Sequence, residues 1–293
     1  HPLVAALLEW RKDERIATTY GYRWLDEQVG PDDRLRGAWT ASDGAAGRMT
    51  ASAGLHNLPV PLRPAVAAEP GFVFVRADLG QIEPRVLAAV SGDAAFAEAT
   101  LADDLYAPVA AKLRVERSVA KIAVLAAMYG QRSGAAGEAL RDLQRAYPVA
   151  MGLLDEAYAA GLARRPLRTF GGRLIRLDSA LAPEVGQVVG EGWDAARGRF
   201  ARNAIIQGAA AELFKAWAAT VRHHLPSLGG QIVLCLHDEL LLHVPVEASE
   251  AVAALVHQTL TDSSRRWVGA SAGPPVRFVA DVSIINRWDE AKG

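Results

Sequence analysis

Apolar residues repeat along this chain in two patterns, one with a helical period and one in short continuous runs. A period near 3.6 residues predicts helices over residues 3–29, 83–90, 94–147 with a break at 130–137, 193–225 and 247–268. Short apolar runs bounded by turn residues predict strands over residues 72–78 and 276–285, and a hairpin over residues 231–245 with His237 and Asp238 at its tip. Together these elements predict an α+β fold.

Two other segments carry turn residues instead of a regular period. Glycine and proline are scattered through residues 32–70, which we expect to be rich in turns. Pro166 interrupts residues 156–177, and a short hairpin is predicted after it, over residues 167–177. No apolar stretch approaches the ~20 residues that a membrane-spanning helix needs, so we expect no membrane partner.

Composition narrows the class of protein. Of the 293 residues, 51% are hydrophobic and 22% are charged, which is typical of a folded globular protein and excludes a disordered chain. The formal net charge of −1 argues against a protein that coats nucleic acid through bulk positive charge, and leaves a local basic groove open. The single cysteine, Cys235, cannot form an internal disulfide, and its place in a predicted strand indicates a packing role.

Two aspartates follow predicted strands that are far apart in the chain. Asp78 comes after the apolar run 72–75, and Asp238 comes after the apolar run 232–236. One aspartate at a strand end is more often a turn cap, but two that converge from distant segments offer the oxygen ligands that divalent metal ions take. The pair is therefore a hypothesis for a metal site.

A stripe of positive charge lies on a predicted helix between these aspartates. Arg117 and Lys121 are four residues apart and Tyr129 follows about two turns later, so all three lie along one helix face. Such a pair of cations is more often a solvated helix face, but the apolar run over residues 122–128 predicts that this helix is buried on its other side. A cationic stripe that faces an acidic metal site suits a polyphosphate substrate.

These three segments resemble the motifs of family A DNA polymerases, the family of bacterial DNA polymerase I, and they occur in the family's order. Residues 78–85 resemble its Asp-Tyr-Ser-Gln-Ile-Glu-Leu-Arg, and residues 117–130 resemble its pattern of Arg, three residues, Lys, seven residues and Tyr-Gly. Residues 237–239 match its His-Asp-Glu. Further similarities cover residues 47–59, 169–173, 199–208 and 286–291.

The resemblance implies a right-hand polymerase fold, with an antiparallel sheet in the palm, inserted helical fingers and a remnant of the thumb. We expect the thumb remnant over residues 1–36, the first part of the palm over 37–92, the fingers over 93–200 and the second part of the palm over 201–293. The compact fingers are most similar to those of exonuclease–polymerase fusions. We therefore expect a C-terminal fragment of a longer polypeptide, in which an N-terminal exonuclease-type domain commonly precedes this region.

The resemblance also implies a catalytic site for two Mg²⁺ ions, with Mn²⁺ as a substitute. Asp78 and Asp238 would be the side-chain ligands, and the backbone carbonyl of Leu79 would add an oxygen. Glu239 would act beside them, as a supporting carboxylate or an occasional ligand. Because Mg²⁺ prefers oxygen ligands and keeps several waters, two carboxylates suffice when the substrate supplies the rest.

Seven positions are assigned to the incoming nucleotide by the same resemblance. They are Gln81, Glu83, Tyr106, Arg117, Lys121, Leu125 and Tyr129. The two cations would hold the β- and γ-phosphates, the Tyr129 ring would line the base of the pocket, and the Glu83 side chain would exclude a ribose 2′-hydroxyl.

Two of these positions depart from the family pattern. Leu125 stands where the family has Phe or Tyr, and Tyr106 stands where it usually has His. How well the protein discriminates between deoxyribose and ribose, and how fast it adds nucleotides, are therefore open questions.

Six positions are assigned to primer–template DNA. They are Arg48, Asn203, Gln207 and His237, with Arg173 and Arg199 as weaker candidates. Asn203 and Gln207 are four residues apart, so one helix face presents both amides to the minor-groove acceptors that every base pair offers. His237 at the hairpin tip would touch the primer terminus. The adjacent His223 and His224 diverge on a helix, which disfavours a metal role for them.

The predicted function is template-directed addition of deoxynucleotides to a primer 3′-hydroxyl. One alternative is an enzyme like the single-subunit RNA polymerases, and another is a non-catalytic nucleic-acid-binding domain. Glu83 and the His237-Asp238-Glu239 triplet favour the DNA polymerase. A cytoplasmic, nucleoid-associated location would follow, with the pathway, replication or repair, left open.

Overall fold

A computed structural model describes residues 1–44, 46–130, 137–177, 191–269 and 273–291. Its helices are α1 (Pro2–Thr19), α2 (Tyr22–Gln28), α3 (Ile82–Ser91), α4 (Ala94–Ala99), α5 (Tyr106–Leu113), α6 (Arg117–Tyr129), α7 (Gly137–Ala146), α8 (Pro148–Leu162), α9 (Glu191–His224) and α10 (Ser249–Val268). Its strands are β1 (Trp39–Asp43), β2 (Arg48–Ala51), β3 (Phe72–Leu79), β4 (Leu167–Arg168), β5 (Leu174–Ile175), β6 (Gln231–Leu236), β7 (Glu239–Pro245) and β8 (Ala280–Ile285).

One antiparallel sheet of four strands, in the order β6-β7-β3-β8, forms the centre of the fold. Alternation along β3 sends side chains to two different faces. Val73, Val75 and Ala77 belong to the large core that α3, α9 and α10 complete, whereas Phe74 belongs to a smaller core on the opposite face. Because both faces are covered, β3 is apolar at most positions, as the uninterrupted run in the sequence predicted. The antiparallel sheet and the mixed α+β class are confirmed.

The predicted helix over residues 3–29 is wrong in one respect, because it is divided. α1 ends at Thr19 and α2 begins at Tyr22. Gly21 between them has an extended backbone, and a Cβ at this position would lie 2.2 Å from the Ala17 carbonyl oxygen. The break also allows the buried Tyr20 to donate a hydrogen bond to the Gly54 carbonyl, a tertiary contact that the helical period does not encode.

Three other predictions need correction. The turn-rich region 32–70 contains the β1–β2 hairpin, whose short strands lack a clear apolar alternation. The helical block 94–147 is divided at residues such as Arg114, which adopts a left-handed conformation, and is followed by α8, which starts at Pro148. The last strand begins at Ala280 instead of residue 276. The interruption predicted at 130–137 falls largely on residues outside those described.

The β6–β7 hairpin, the β4–β5 hairpin and the long helix before Pro226 are present as predicted. α9 is 34 residues long and packs against α3, α6, α8 and α10. Within the described ranges, none of the helices is both long enough and apolar enough to span a bilayer.

Candidate active site

Four carboxylates gather at one end of the central sheet. Strand register places Asp78 on β3 opposite Glu239 on β7 and opposite Asp281 on β8. Asp238 occupies the β6–β7 turn, and its carbonyl accepts a hydrogen bond from the Leu79 amide at 2.9 Å. The two predicted metal ligands, distant in the chain, are thus brought to neighbouring positions by strand pairing.

The turn that carries Asp238 has an unusual backbone. Leu236 pairs with Glu239, so the connection contains only His237 and Asp238. His237 has a φ of +34°, a region in which a side chain other than glycine costs about 1–3 kcal/mol. Tight two-residue hairpins favour positive φ, and a residue kept there despite the cost is a candidate for a functional role.

The electrostatics of these carboxylates favour a bound cation. Burial and, after it, the negative charge of Asp78 together raise the pKa of Asp238 to about 6. Burial also raises the pKa of Asp78, against the opposing effect of the nearby Arg76 guanidinium. A divalent ion bound at these two acids would favour their ionised forms.

Arg76 and Trp288 hold this cluster, and the sequence analysis assigned a role to neither. The Arg76 guanidinium Nη2 lies 2.7 Å from Asp78 Oδ2 and 2.9 Å from Glu239 Oε2. The Trp288 indole Nε1 donates to the other Glu239 oxygen, Oε1, at 2.7 Å. Arg76 precedes Asp78 by two residues, so both lie on the same face of β3. The sequence could have pointed to Arg76, because it is a charged residue among the apolar positions of β3.

The donor set fits magnesium with most positions left to the substrate. Among the described side chains, no group of three or more His, Cys, Asp or Glu residues is arranged to hold a metal ion by itself. Mg²⁺ is commonly bound through one or two carboxylates, with waters and phosphate oxygens completing the octahedron. Asp78 and Asp238 match that arrangement, whereas both oxygens of Glu239 already accept hydrogen bonds from protein groups.

Glu83 lies next to the carboxylate end of the sheet, in the first turn of α3. Its Oε1 is 2.5 Å from Arg48 Nη2, and its Oε2 accepts a hydrogen bond from the Tyr129 hydroxyl at 3.5 Å. Burial raises the pKa of Glu83, and the Arg48 charge partly counters that effect. One predicted DNA contact, Arg48, and two predicted nucleotide contacts, Glu83 and Tyr129, therefore form a single cluster.

The predicted phosphate-binding face lies on α6. Arg117, Lys121, Leu125 and Tyr129 follow one another at intervals of four residues, and the first two are exposed. Arg117 Nε is 2.5 Å from Asp104 Oδ2, and its guanidinium lies 5.7 Å from the centre of the Tyr106 ring. Leu125 is partly buried against the large core.

Gln81 is a predicted nucleotide contact, but its side-chain polar atoms bind other protein groups. Its backbone adopts a left-handed conformation with φ of +54°. Its side chain accepts from the Leu105 amide at 2.9 Å and donates to Asp104 Oδ1 at 3.1 Å. In this structure Gln81 supports the segment that carries Asp104, the partner of Arg117.

The candidates for DNA contacts come from three elements. Asn203 and Gln207 lie one turn apart on α9, and Asn203 Nδ2 is buried with no hydrogen-bond partner among the described residues. His237 is exposed, and its ring stacks on His56 with centroids 4.6 Å apart. The side chains of Gln207 and Asn203 lie beside the Tyr129 hydroxyl, whose pKa they lower against the larger raising effect of burial.

The two weaker DNA candidates lie apart from each other. The Arg173 side chain packs against Gly47, where an added Cβ would be 2.6 Å from the guanidinium. Arg199 is exposed on α9, and its aliphatic part packs against Gly130. Cys235, predicted to pack in a strand, lies on β6, and burial raises the pKa of its thiol to about 11.

Arg85 in α3 is a further residue whose role the sequence analysis did not identify. The five N–H groups of its guanidinium lie within hydrogen-bond distance of six acceptors, the carbonyls of Gly80, Thr100, Ala102, Asp103 and Arg277 and the side-chain oxygen of Gln81. Burial lowers the pKa of Arg85 to about 10. The residue joins the end of β3 to the segment that leads to Asp104.

Comparisons with known proteins agree with this geometry. DNA polymerase I of Chloroflexus aurantiacus is 29% identical over 99% of this chain and 32% of its own length. The thermostable DNA polymerase I of Thermus filiformis is 30% identical over 100% of the chain and 37% of its own length. The chain thus spans about a third of the length of these curated relatives.

A solved structure described as the POL domain of Pol1 from M. smegmatis in complex with DNA primer-template and dNTP superimposes with a TM-score of 0.80. That likeness covers 99% of this chain and 54% of the other at 23% identity, and so it bears on the fold. The family described as DNA polymerase family A matches residues 1–290. The match covers nearly the whole chain, and the chain belongs to DNA polymerase family A.

Proposed function

We propose that this chain extends a primer 3′-hydroxyl with deoxynucleotides under the direction of a template. The observation that carries the proposal is the convergence of Asp78 and Asp238, from β3 and from the β6–β7 turn, at one end of the sheet. The raised pKa of Asp238, caused by burial and by the charge of Asp78, supports a site built for a divalent cation. A cytoplasmic location at the nucleoid goes with this proposal.

Asp78 and Asp238 would hold two Mg²⁺ ions, with the Leu79 carbonyl nearby as an additional oxygen. When bound, the ions would activate the 3′-hydroxyl and neutralise the charge of the leaving pyrophosphate. The protein's part is to hold the carboxylates in register, which the β3–β7 pairing of Asp78 with Glu239 supports. Glu239 itself would act through Arg76 and Trp288, since its two oxygens bind those residues.

Arg117 and Lys121 would bind the triphosphate. Arg117 is paired with Asp104 in the present structure, so the phosphate would have to replace Asp104 as its partner or share the guanidinium with it. Arginine has five donors in a planar fork, which permits such sharing. Lys121 is exposed one turn further along α6 and would contribute a point charge.

Glu83 would select the sugar. Its carboxylate is fixed between Arg48 and Tyr129, so that it cannot easily move away from an added 2′-hydroxyl. A ribonucleotide would then be opposed by lack of space and by poorly paired polar groups. Leu125, a smaller side chain than the family's aromatic residue, leaves Glu83 with more of this task.

The DNA would lie across α9, the β6–β7 turn and the β1–β2 hairpin. Asn203, Gln207 and Arg48 can donate to minor-groove acceptors, and the position of both amides beside Tyr129, with Arg48 beside Glu83, supports this assignment. His237 would contact the primer end from its stacked position on His56.

One assay separates this proposal from its alternatives. Purified protein is given a primed template, Mg²⁺ and either dNTPs or rNTPs. We expect extension with dNTPs in the order that the template dictates. Extension with rNTPs alone would favour the RNA polymerase-like reading. Tight binding of the primed template without any extension, in Mg²⁺ and in Mn²⁺, would favour the non-catalytic one.

A further inference from the structure

A buried arginine lies inside the acidic cluster that the proposed function assigns to metal ions. Arg76 is only 6% exposed, although it sits on β3 among charged side chains. Its guanidinium is within 2.7 Å of Asp78, 2.9 Å of Glu239 and 3.9 Å of Asp281. It is therefore a permanent positive charge placed against one of the two proposed metal ligands.

Two opposite consequences follow from that charge. The guanidinium fixes Asp78 and Glu239 in place, because one of its nitrogens, Nη2, donates to both carboxylates. It also repels any divalent cation that approaches Asp78, since like charges separated by a few ångströms in a partly buried site interact strongly. The first effect prepares the ligand geometry, and the second weakens the binding of a free ion.

The hydrogen-bond pattern indicates how the two effects are combined. Arg76 binds Oδ2 of Asp78, and no hydrogen bond to Oδ1 accompanies it among the contacts of the described residues. Glu239 has one oxygen on Arg76 and the other on Trp288. A metal ion could thus reach Asp78 without breaking the cluster, but only with the guanidinium still beside it.

We propose that Arg76 is a positioning residue that acts as the resident counter-cation of the metal site. It holds Asp78 and Glu239 in register when no metal is bound, and it lowers the affinity of the site for a divalent ion alone. The ion then binds well only together with nucleotide phosphates, whose negative charge compensates for Arg76. This inference rests on the proposed function, since it concerns the same metal site.

Titration of Mn²⁺ in the absence of nucleotide and DNA tests the inference directly. Arg76→Gln removes the charge and keeps a side-chain amide that can donate to Glu239. We expect its Mn²⁺ dissociation constant, from calorimetry or electron paramagnetic resonance, to be about tenfold lower than that of wild type. The control is Arg197→Gln, which removes another buried arginine, paired with Asp194 and the Gly161 carbonyl, and should leave Mn²⁺ affinity unchanged.

Arg76→Lys separates charge from shape. It keeps the positive charge, so we expect Mn²⁺ affinity within about threefold of wild type. A tenfold weaker affinity in Arg76→Lys, or an affinity in a cooperatively melting Arg76→Gln that is equal to or weaker than wild type, would overturn the inference. If Arg76→Gln does not fold, the lysine variant decides alone.

The outcomes keep the inference and the proposed function apart. Asp78→Asn in the Arg76→Gln background should abolish the tight Mn²⁺ site, and tight binding that persists there would overturn the assignment of Arg76 to this metal site. If wild type extends primers but Arg76→Gln binds Mn²⁺ no more tightly than wild type, the inference about Arg76 is wrong and the polymerase proposal stands. If Arg76→Gln binds Mn²⁺ more tightly but wild type extends no primers, the polymerase proposal is wrong and the inference about Arg76 stands.

Discussion

At the end of the sheet, Asp78 and Glu239 face each other across paired strands, whereas on α6 the proposed phosphate ligands project from a helix surface. The Asp78 side chain is 30% exposed and that of Glu239 is 10% exposed, against 55% for Arg117. Strand register fixes the backbone of the acids, whereas Arg117 is held through its side chain, by an ion pair with Asp104. We infer that the acidic end of the sheet is preformed and that the cationic face exchanges partners when the substrate binds.

The largest effect should come from removing a preformed acid. We expect Asp78→Ala to reduce the rate of primer extension by about a thousandfold or more, roughly 4 kcal/mol, because a ligand and its charge are lost together. Single-turnover extension on a primed template measures it, with circular dichroism as the check on folding. Activity within tenfold of wild type would show that the acidic cluster is not the metal site.

The next effect should come from the exchangeable face. Lys121→Ala should raise the dNTP concentration needed for half-maximal extension by about ten- to a hundredfold, since one phosphate contact is lost. A DNA-binding titration should remain within about twofold of wild type. The opposite pattern, with lost DNA affinity and an unchanged dependence on dNTP, would place this face of α6 on the template.

A smaller effect concerns the acidic end of the sheet, whose contribution to the free energy of unfolding should depend on pH. Because the folded-state pKa of Asp238 is raised to about 6, this carboxyl favours folding at low pH, and the contribution is lost as pH rises through that value. Without metal, Asp238→Asn should therefore be more stable than wild type at pH 7.5 by about 2 kcal/mol, and by less at pH 4.5. Chemical denaturation in EDTA at both pH values measures the difference. If Asp238→Asn and wild type differ in unfolding free energy by the same amount at both pH values, the pKa of Asp238 is not raised by burial and neighbouring charge.

The smallest predicted effect is a change in selectivity. Glu83→Ala should increase the efficiency of rNTP relative to dNTP incorporation by about tenfold or less, because the space beside the sugar opens while the contacts of Arg48 and Tyr129 are also loosened. The ratio of kcat/KM values for the two substrates is the quantity to measure. Glu83→Gln, which keeps the volume, should change that ratio less, and an equal change in both variants would mean that charge rather than space selects the sugar.

Position along the chain was enough to predict Asp78, Asp238, Arg117 and Lys121 as candidate site residues, because they occupy fixed offsets at strand ends or along one helix face. The structure places the two acids at one end of the sheet, and the roles of all four stay predictions. The long-range partners were harder to foresee. Nothing local in the sequence connects Trp288 to Glu239 or Asp104 to Arg117, since those contacts exist only after the strands and helices have packed.

Backbone features set a similar limit. The first helix is divided at Gly21, where there is no room for a Cβ beside the Ala17 carbonyl, and the β1–β2 hairpin forms without a clear alternation of apolar residues. In both places tertiary packing outweighs the local period. The fingers assigned from the resemblance stay a prediction, and the start of α8 at Pro148 was not foreseen.

Arg85 connects the acidic end of the sheet to the segment that supports the cationic face of α6. One guanidinium ties the carbonyl of Gly80, at the end of β3, to those of Ala102 and Asp103, beside the acid that holds Arg117. A displacement of the loop before α5 would therefore pull on the end of β3. Under the proposed function, this rigid link would preserve the spacing between the metal site at the end of β3 and the phosphate contacts on α6. Because that link is a planar fork with several acceptors, lysine could not replace it without loosening the link.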